Sequence, residues 1–252
     1  MSAARDAATG FRPCAVIPTY DNPLTITRVV DEVRRHVPDV VIVDDGSGAE
    51  GKRVLEGIAK TGTARVVHRE RNGGKGAAVK TGLQVAHELG FSHALQIDAD
   101  GQHDPEDIPR FVAQAGARPE AAVLGHPVWD ETMPRGRKAA HGITNFWTRV
   151  ETAGRSIVDP QCGYRVYPLA ATLGVGARAD RMDFDIEIAV RLVWAGVPII
   201  NVPTRVRYLP KGAGGVSHFR LVRDNLAITW MHIRLVLASL LWRLGRVWRR
   251  AR

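Results

Sequence analysis

The sequence predicts an α/β fold with a mostly parallel central sheet, followed by a C-terminal amphipathic helix. Three observations lead there. Apolar runs of strand length alternate with stretches of helical periodicity through the N-terminal half, the pattern of right-handed βαβ units. Acids and glycines recur just after those runs, and open α/β sheets bind ligands beyond the carboxyl ends of their strands. Residues 217–252 then combine a wide apolar face with a narrow polar stripe.

Each element has its own warrant. Residues 14–17 are a short apolar run closed by Pro18-Thr19-Tyr20-Asp21-Asn22-Pro23, a strand and a turn. Asn22 and Pro23 fit the N-cap and first position of a helix carrying Leu24, Val29, Val30 and Val33. A second buried strand, 40–43, runs into Asp44-Asp45-Gly46-Ser47, and residues 50–60 show helical spacing through Val54, Leu55 and Ile58. A third strand spans 64–68 and a helix 76–89; Leu95 and Ile97 close a fourth strand. Pro105 with Glu106 and Asp107 then opens a helix, since proline and acids both suit a first turn. Further strands are expected at 121–124 and 199–208, with helices at 139–153 and 184–195.

The chain has 252 residues, 45% hydrophobic and 24% charged, enough for one sizeable core. The expected division is a flexible tail over 1–11, one domain over 12–216, and a mobile loop with a basic helix over 217–252. Much of the formal charge of +9 comes from Arg243, Arg246, Arg249, Arg250 and Arg252, a tail suited to an anionic membrane surface or a nucleic acid. Stacking aromatics on a basic sheet are not evident, which disfavours nucleic acid. Cys14 and Cys162 make no disulfide framework or metal-spaced cluster, so free thiols in a reducing compartment are expected. The first ten residues have no apolar core, so neither a signal peptide nor an anchor is expected there. The expected location is cytoplasmic, peripheral on the inner face of the cell membrane.

The richest stretch is Asp98-Ala99-Asp100-Gly101-Gln102-His103-Asp104. Acids at the end of a buried strand are costly without a cation. Alternation along an extended chain points Asp98 and Asp100 the same way, and hard oxygen ligands suit Mg2+ or Mn2+. A solvated, Asp-rich turn fits these residues alone equally well. Asp44 and Asp45 fit either a turn or acceptors for a base and a ribose. Arg71-Asn72-Gly73-Gly74-Lys75-Gly76 precedes a helix and lacks the spacing of a Walker A loop. Asp159, Gln161 and Arg165 share a compact polar loop. Asp183, Asp185 and Glu187 crowd a helix start, where one of them fits taking a proton or holding an acceptor hydroxyl; capping is the reading for Asp183, and Glu187 stays open. His218 and Arg220 lie in a glycine-rich stretch suited to closing over phosphates.

In the C-terminal segment, Thr229, His232, Ser239, Arg243, Arg246 and Arg250 form the polar stripe. Leu226, Trp230, Ile233, Leu237, Leu240, Leu241 and Leu244 fill the wide face. The charge-free run 235–242 is eight residues long, against about twenty for a span, so an interfacial helix is expected. Packing on the protein's own domain or on a partner is the other reading.

Together, Pro18-Thr19-Tyr20, Asp44-Asp45-Gly46-Ser47, Asn72-Gly73-Gly74-Lys75-Gly76, Asp98-Ala99-Asp100-Gly101-Gln102-His103, Asp159-Pro160-Gln161-Cys162-Gly163-Tyr164-Arg165, Phe184-Asp185-Ile186-Glu187 and Ser217-His218 resemble a family-2 glycosyltransferase. The resemblance is strongest to the dolichyl-phosphate mannose synthase-like branch and covers about 13–220. It implies a GT-A type nucleotide-binding fold and an inverting transfer from a UDP- or GDP-linked sugar to a lipid or polyprenyl phosphate. By position, Pro18, Tyr20, Asp44, Asp45, Lys75, Asp98 and Ala99 would contact the donor. Asp98, Asp100 and Gln102 would hold or frame Mg2+ or Mn2+. Asp100, Asp159, Arg165 and Glu187 become the catalytic candidates, with Asp159 or Glu187 taking a proton from a hydroxyl acceptor. Charge alone nominates Arg135 and Arg137 for an acceptor phosphate. The alternatives are a sugar-phosphate nucleotidyltransferase and, in another class, a basic-tailed nucleic-acid-binding protein.

Overall fold

The computed structural model describes residues 10–128, 135–154, 157–206 and 220–250, with side chains left undescribed at 135–140, 221 and 245–250. Seven strands form one sheet: β1 Pro13–Thr19, β2 Val40–Asp44, β3 Arg65–His68, β4 His93–Gln96, β5 Ala122–Pro127, β6 Arg165–Pro168 and β7 Ile199–Thr204. Their order is β3-β2-β1-β4-β6-β5-β7. β6 alone runs antiparallel to its neighbours β4 and β5, so the predicted mostly parallel sheet is present. The helices are α1 Ile26–Arg34, α2 Ala49–Lys60, α3 Lys75–Glu88, α4 Ile108–Ala117, α5 Arg135–Glu151, α6 Leu169–Gly174, α7 Phe184–Trp194 and α8 Leu221–Arg250.

β1, β2 and β4 are buried on both faces, which accounts for their unbroken apolar runs. One core layer packs Ile17, Ile42, Leu95 and Val123 under α1, α2 and α4. The other packs Val16, Val43 and Ala94 under α3 and α7. Gly82 of α3 lies so close to the sheet that a Cβ would sit 2.4 Å from Val16. Register places Thr19 beside Asp44, and Asp44 beside His68. The polar ends of three neighbouring strands therefore share one edge of the sheet.

Several expected boundaries move. Asn22 and Pro23 do not open α1; the helix starts at Ile26 behind Thr25, and Leu24 is exposed. Thr25 has a different task, donating through Oγ1 to the Ala99 carbonyl at 2.7 Å. Phe11, at the end of the expected tail, is buried against the His93 ring. The short helix α6 was not foreseen.

α8 packs on the domain through part of its polar stripe. His232 and Ser239 of the polar stripe are buried, whereas Trp230 is 61%, Leu237 62% and Leu241 73% exposed. Two of its members, His232 and Arg243, reach partners on the domain. His232 Nδ1 lies 2.7 Å from Glu151 Oε1, both groups buried, and Arg243 donates to the Val150 carbonyl. Met231 and Leu235 pack on Ile186 and Val190, and Trp242 stacks on Trp194. By length and composition, Val222–Leu244 also meets the requirement for a span, with mean hydropathy 1.3, which the short charge-free run had not led us to expect.

Candidate active site

β4 ends at Gln96, and the chain turns at Asp98 to Gly101 before the 3-10 turn Pro105–Asp107. Asp104 caps that turn by accepting from the Glu106 N–H. Asp100 Oδ1 accepts from the Gln102 N–H at 3.0 Å, which fixes the bend. Asp98 meets Lys75, whose Nζ lies 2.8 Å from Asp98 Oδ1 and 3.0 Å from Asp185 Oδ2. Gln96 Nε2 donates to the other Asp185 oxygen at 3.0 Å.

Charge follows the geometry. Burial alone would lift the Asp98 carboxyl, but the adjacent Lys75 ammonium holds it well below the ordinary range. Asp100 shifts upward, first through burial and then through the negative charge of Asp98. For Lys75, burial opposes its charge and the carboxylates of Asp185 and Asp98 more than restore it. His103 Nε2 lies 3.7 Å from Asp98 Oδ2, and its ring packs against Tyr164. Gly163 closes over the pair: a Cβ there would sit 2.4 Å from Lys75 Nζ and 2.8 Å from Asp98 Oδ2.

The expected donor residues divide into two groups. Pro18 is buried beside Val43 in the sheet, and Tyr20 is half-buried. Asp44 and Asp45 are turned inward. Asp44 Oδ1 accepts from the Ser47 N–H at 2.8 Å, and Oδ2 lies 2.8 Å from His68 Nδ1. Asp45 accepts from the Gly73 and Gly74 N–H groups at 3.0 and 2.7 Å and from Arg69. Gly74 has φ of +104°, a conformation that suits glycine. Asp45 thereby ties the glycine loop to the end of β2. Ala99 is buried, with its carbonyl on Thr25.

The catalytic candidates beyond Asp100 lie inside the protein. Arg165 is wholly buried and donates to the carbonyls of Cys162, Asp185 and Pro160 and to the Tyr167 hydroxyl. It fastens the 159–165 loop to α7, a structural task. Glu187 accepts from the Arg178 and Ala179 N–H groups and from Arg191. Asp159 accepts from the Gln161 and Cys162 N–H groups, and its second oxygen lies 3.1 Å from His141 Nδ1. Burial raises the Asp159 carboxyl, but His141 and the two N–H donors bring it below the ordinary value. Asp183 precedes α7 and accepts from the Arg181 N–H, making no side-chain cap to the helix.

Arg135 and Arg137 fall in the first turn of α5, where side chains are undescribed. Arg220 is exposed, and its N–H donates to Asp224 ahead of α8; His218 lies outside the described residues. Sequence reasoning assigned no site role to Asp185, Gly163, His103 or His141. Asp185 was visible as an acid in a helix's first turn, where capping hid it. His103 and Gly163 lay within motifs but without a role of their own, and His141 carried no signal before the helix and loop were brought together.

A mostly parallel sheet whose strand ends carry carboxylates, a glycine loop tied to one of them, and the Asp98–Asp100 turn beyond β4 make up the candidate site. The profile described as "Glycosyl transferase family 2" matches residues 14–171; the chain belongs to this family and is a glycosyltransferase. Similar chains include an undecaprenyl-phosphate mannosyltransferase of Micrococcus luteus, 27% identical over 242 residues, 89% of this chain and 98% of that one. A polyprenol monophosphomannose synthase of Mycolicibacterium smegmatis is 28% identical, covering 76% of each chain. Among solved structures, glucosyl-3-phosphoglycerate synthase of Mycobacterium tuberculosis with Mn2+ and UDP-glucose superposes with a TM-score of 0.61 at 20% identity. That superposition covers 96% of this chain and 83% of the other, and it shows the GT-A type fold.

Proposed function

We propose that the protein transfers a glycosyl group from a nucleotide sugar to a polyprenyl phosphate at a membrane surface, inverting the anomeric centre. The observation that carries the acceptor class is the state of the carboxylates. Asp159 and Glu187, the candidates for a general base, already accept hydrogen bonds from fixed donors. A hydroxyl acceptor needs a base to take its proton, whereas a phosphate monoester arrives ionised and needs none. The names of the Micrococcus and Mycolicibacterium relatives support the same acceptor class.

In this reading a phosphate oxygen of the acceptor forms the new bond to the anomeric carbon. The bond from that carbon to the diphosphate breaks, and the nucleoside diphosphate leaves with the electron pair. Asp98, Asp100 and Gln102 fit a hard divalent cation: oxygen donors at one turn, with the Asp100 carboxyl raised by burial and by the charge of Asp98. Such a cation, Mg2+ or Mn2+, supplies charge stabilisation to the departing diphosphate; the M. tuberculosis structure was solved with Mn2+. Pro18 and Tyr20 line the base side, while Asp44 and Asp45 shape that wall through the loops they hold. Arg135 and Arg137, at the head of α5, and His218 and Arg220, ahead of α8, are assigned to anionic groups.

Membrane docking is assigned to α8 on the inner face of the cell membrane. Leu226, Trp230, Leu237 and Leu241 are exposed along it, with Arg223 and Arg243 exposed on the same helix. Ile143, Phe146 and Trp147 of the adjoining α5 are exposed as well. An amphipathic helix with aromatic residues and flanking cations suits an anionic lipid interface.

Asp100→Ala is the direct test of the metal-held donor. It is expected to abolish the stabilisation that UDP or GDP with Mn2+ gives wild type in thermal unfolding, and to abolish transfer, with the ligand-free melting temperature unchanged. Full activity in the variant would refute the assignment.

A further inference from the structure

We propose that Lys75 is a built-in cation that occupies the metal's side of Asp98 before the metal binds, and that Asp185 governs how readily Lys75 releases it. The inference rests on the reading of Asp98 and Asp100 as a metal site.

Lys75 is the first residue of α3, where the helix dipole disfavours a positive charge. Its side chain is only 15% exposed, and a buried ammonium is costly unless paired. Two carboxylates answer both costs, and they are not equivalent. Asp185 is 4% exposed at the side chain and is held by Gln96 Nε2, so it stays in place. Asp98 is 24% exposed and stands beside Asp100 in the turn beyond β4. One partner of Lys75 is therefore fixed, and the other is shared with any cation that enters. Gly163 leaves room for the ammonium between them, because a Cβ at 163 would take its space.

A divalent ion must draw Asp98 away from an ammonium at 2.8 Å. With Asp185 present, Lys75 keeps a charged partner when that happens. Without the Asp185 charge, Lys75 is committed to Asp98 and competes fully with the metal. Removing Lys75 leaves Asp98 free for it. The two substitutions thus act on metal affinity in opposite directions, although each deletes one member of the same buried network. A network that merely stabilised the fold would not separate them in this way.

The experiment titrates Mn2+ into the full-length protein with UDP, and separately with GDP, reading free Mn2+ by electron paramagnetic resonance. Asp185→Asn is expected to raise the Mn2+ dissociation constant about tenfold, and Lys75→Gln to lower it by a similar factor, the size of coupling typical of contacting charged groups. Equal constants in wild type and Asp185→Asn, or shifts in the same direction for both variants, overturn the proposal. Should Lys75→Gln not fold, the Asp185→Asn result decides alone. Asp100→Ala titrated in parallel separates this idea from the reading beneath it. Unchanged Mn2+ binding there overturns the metal site, whereas lost binding with no response to Asp185→Asn overturns only the role of Lys75.

Discussion

Asp44 shows how much a single carboxylate does at this strand end. It is fully buried, and burial alone would raise its carboxyl above the ordinary value of 3.8; hydrogen bonds from Ser47 and the proximity of His68 bring it below. A depressed value sets the sign of its linkage. The unfolded chain binds the proton first as pH falls below about 3.8, so Asp44 stabilises the fold above that pH. This contribution fades as pH falls toward the folded value. Asp44→Asn removes the charge-assisted bonds at a cost of roughly 1–3 kcal/mol. Thermal unfolding should show wild type more stable at pH 7 and the gap narrowed at pH 3. A gap that widens on acidification would contradict the assignment. The sequence displayed Asp44 and Asp45 at a strand end but left a turn and a nucleotide contact equally open. Only their partners decide what they hold, and His68, Arg69, Gly73 and Gly74 are contributed by the next strand and its loop. Glu187 was obscured in the same way, because its donors at Arg178 and Ala179 lie in an irregular stretch without periodicity.

At the scale of elements, the helices and strands that are buried on a clear face were legible. β1, β2 and β4 stood out as apolar runs because both faces are covered. α6 escaped because six residues after Pro168 carry little periodicity. α8 was legible as an amphipathic helix, but not the face by which it meets the domain. His232 and Arg243 meet the domain because Glu151 and the Val150 carbonyl receive them, and hydropathy patterning alone carries no information about a buried polar partner. The exposed apolar face then carries the docking proposal. Leu237→Glu combined with Leu241→Glu should reduce sedimentation with anionic vesicles at least tenfold, since burying each apolar side chain contributes about 1.5–3 kcal/mol. The melting temperature should hold, because both side chains are exposed in the folded protein. Undiminished vesicle binding would assign that face to something other than lipid.

For the whole molecule, the sheet collects parts that are distant in sequence onto one edge. Lys75 from α3, Asp98 from the end of β4, Gly163 from the loop before β6 and Asp185 from α7 meet within hydrogen-bonding or contact distance. The order of the strands brings this about: β4 lies between β1 and the antiparallel β6, so the loop entering β6 folds over the end of β4. Alternation of strands and helices disclosed the parallel part of that arrangement. It did not disclose the antiparallel insertion, and hence gave no reason to place Gly163 against Asp98. A single reaction is expected at this edge. Purified protein is incubated with Mn2+, a panel of UDP- and GDP-sugars and a short-chain polyprenyl phosphate, and products are read by mass spectrometry. The prediction is a polyprenyl monophosphate sugar formed with one equivalent of nucleoside diphosphate. Release of pyrophosphate from a nucleoside triphosphate and a sugar phosphate, with no glycolipid formed from any donor, would contradict it.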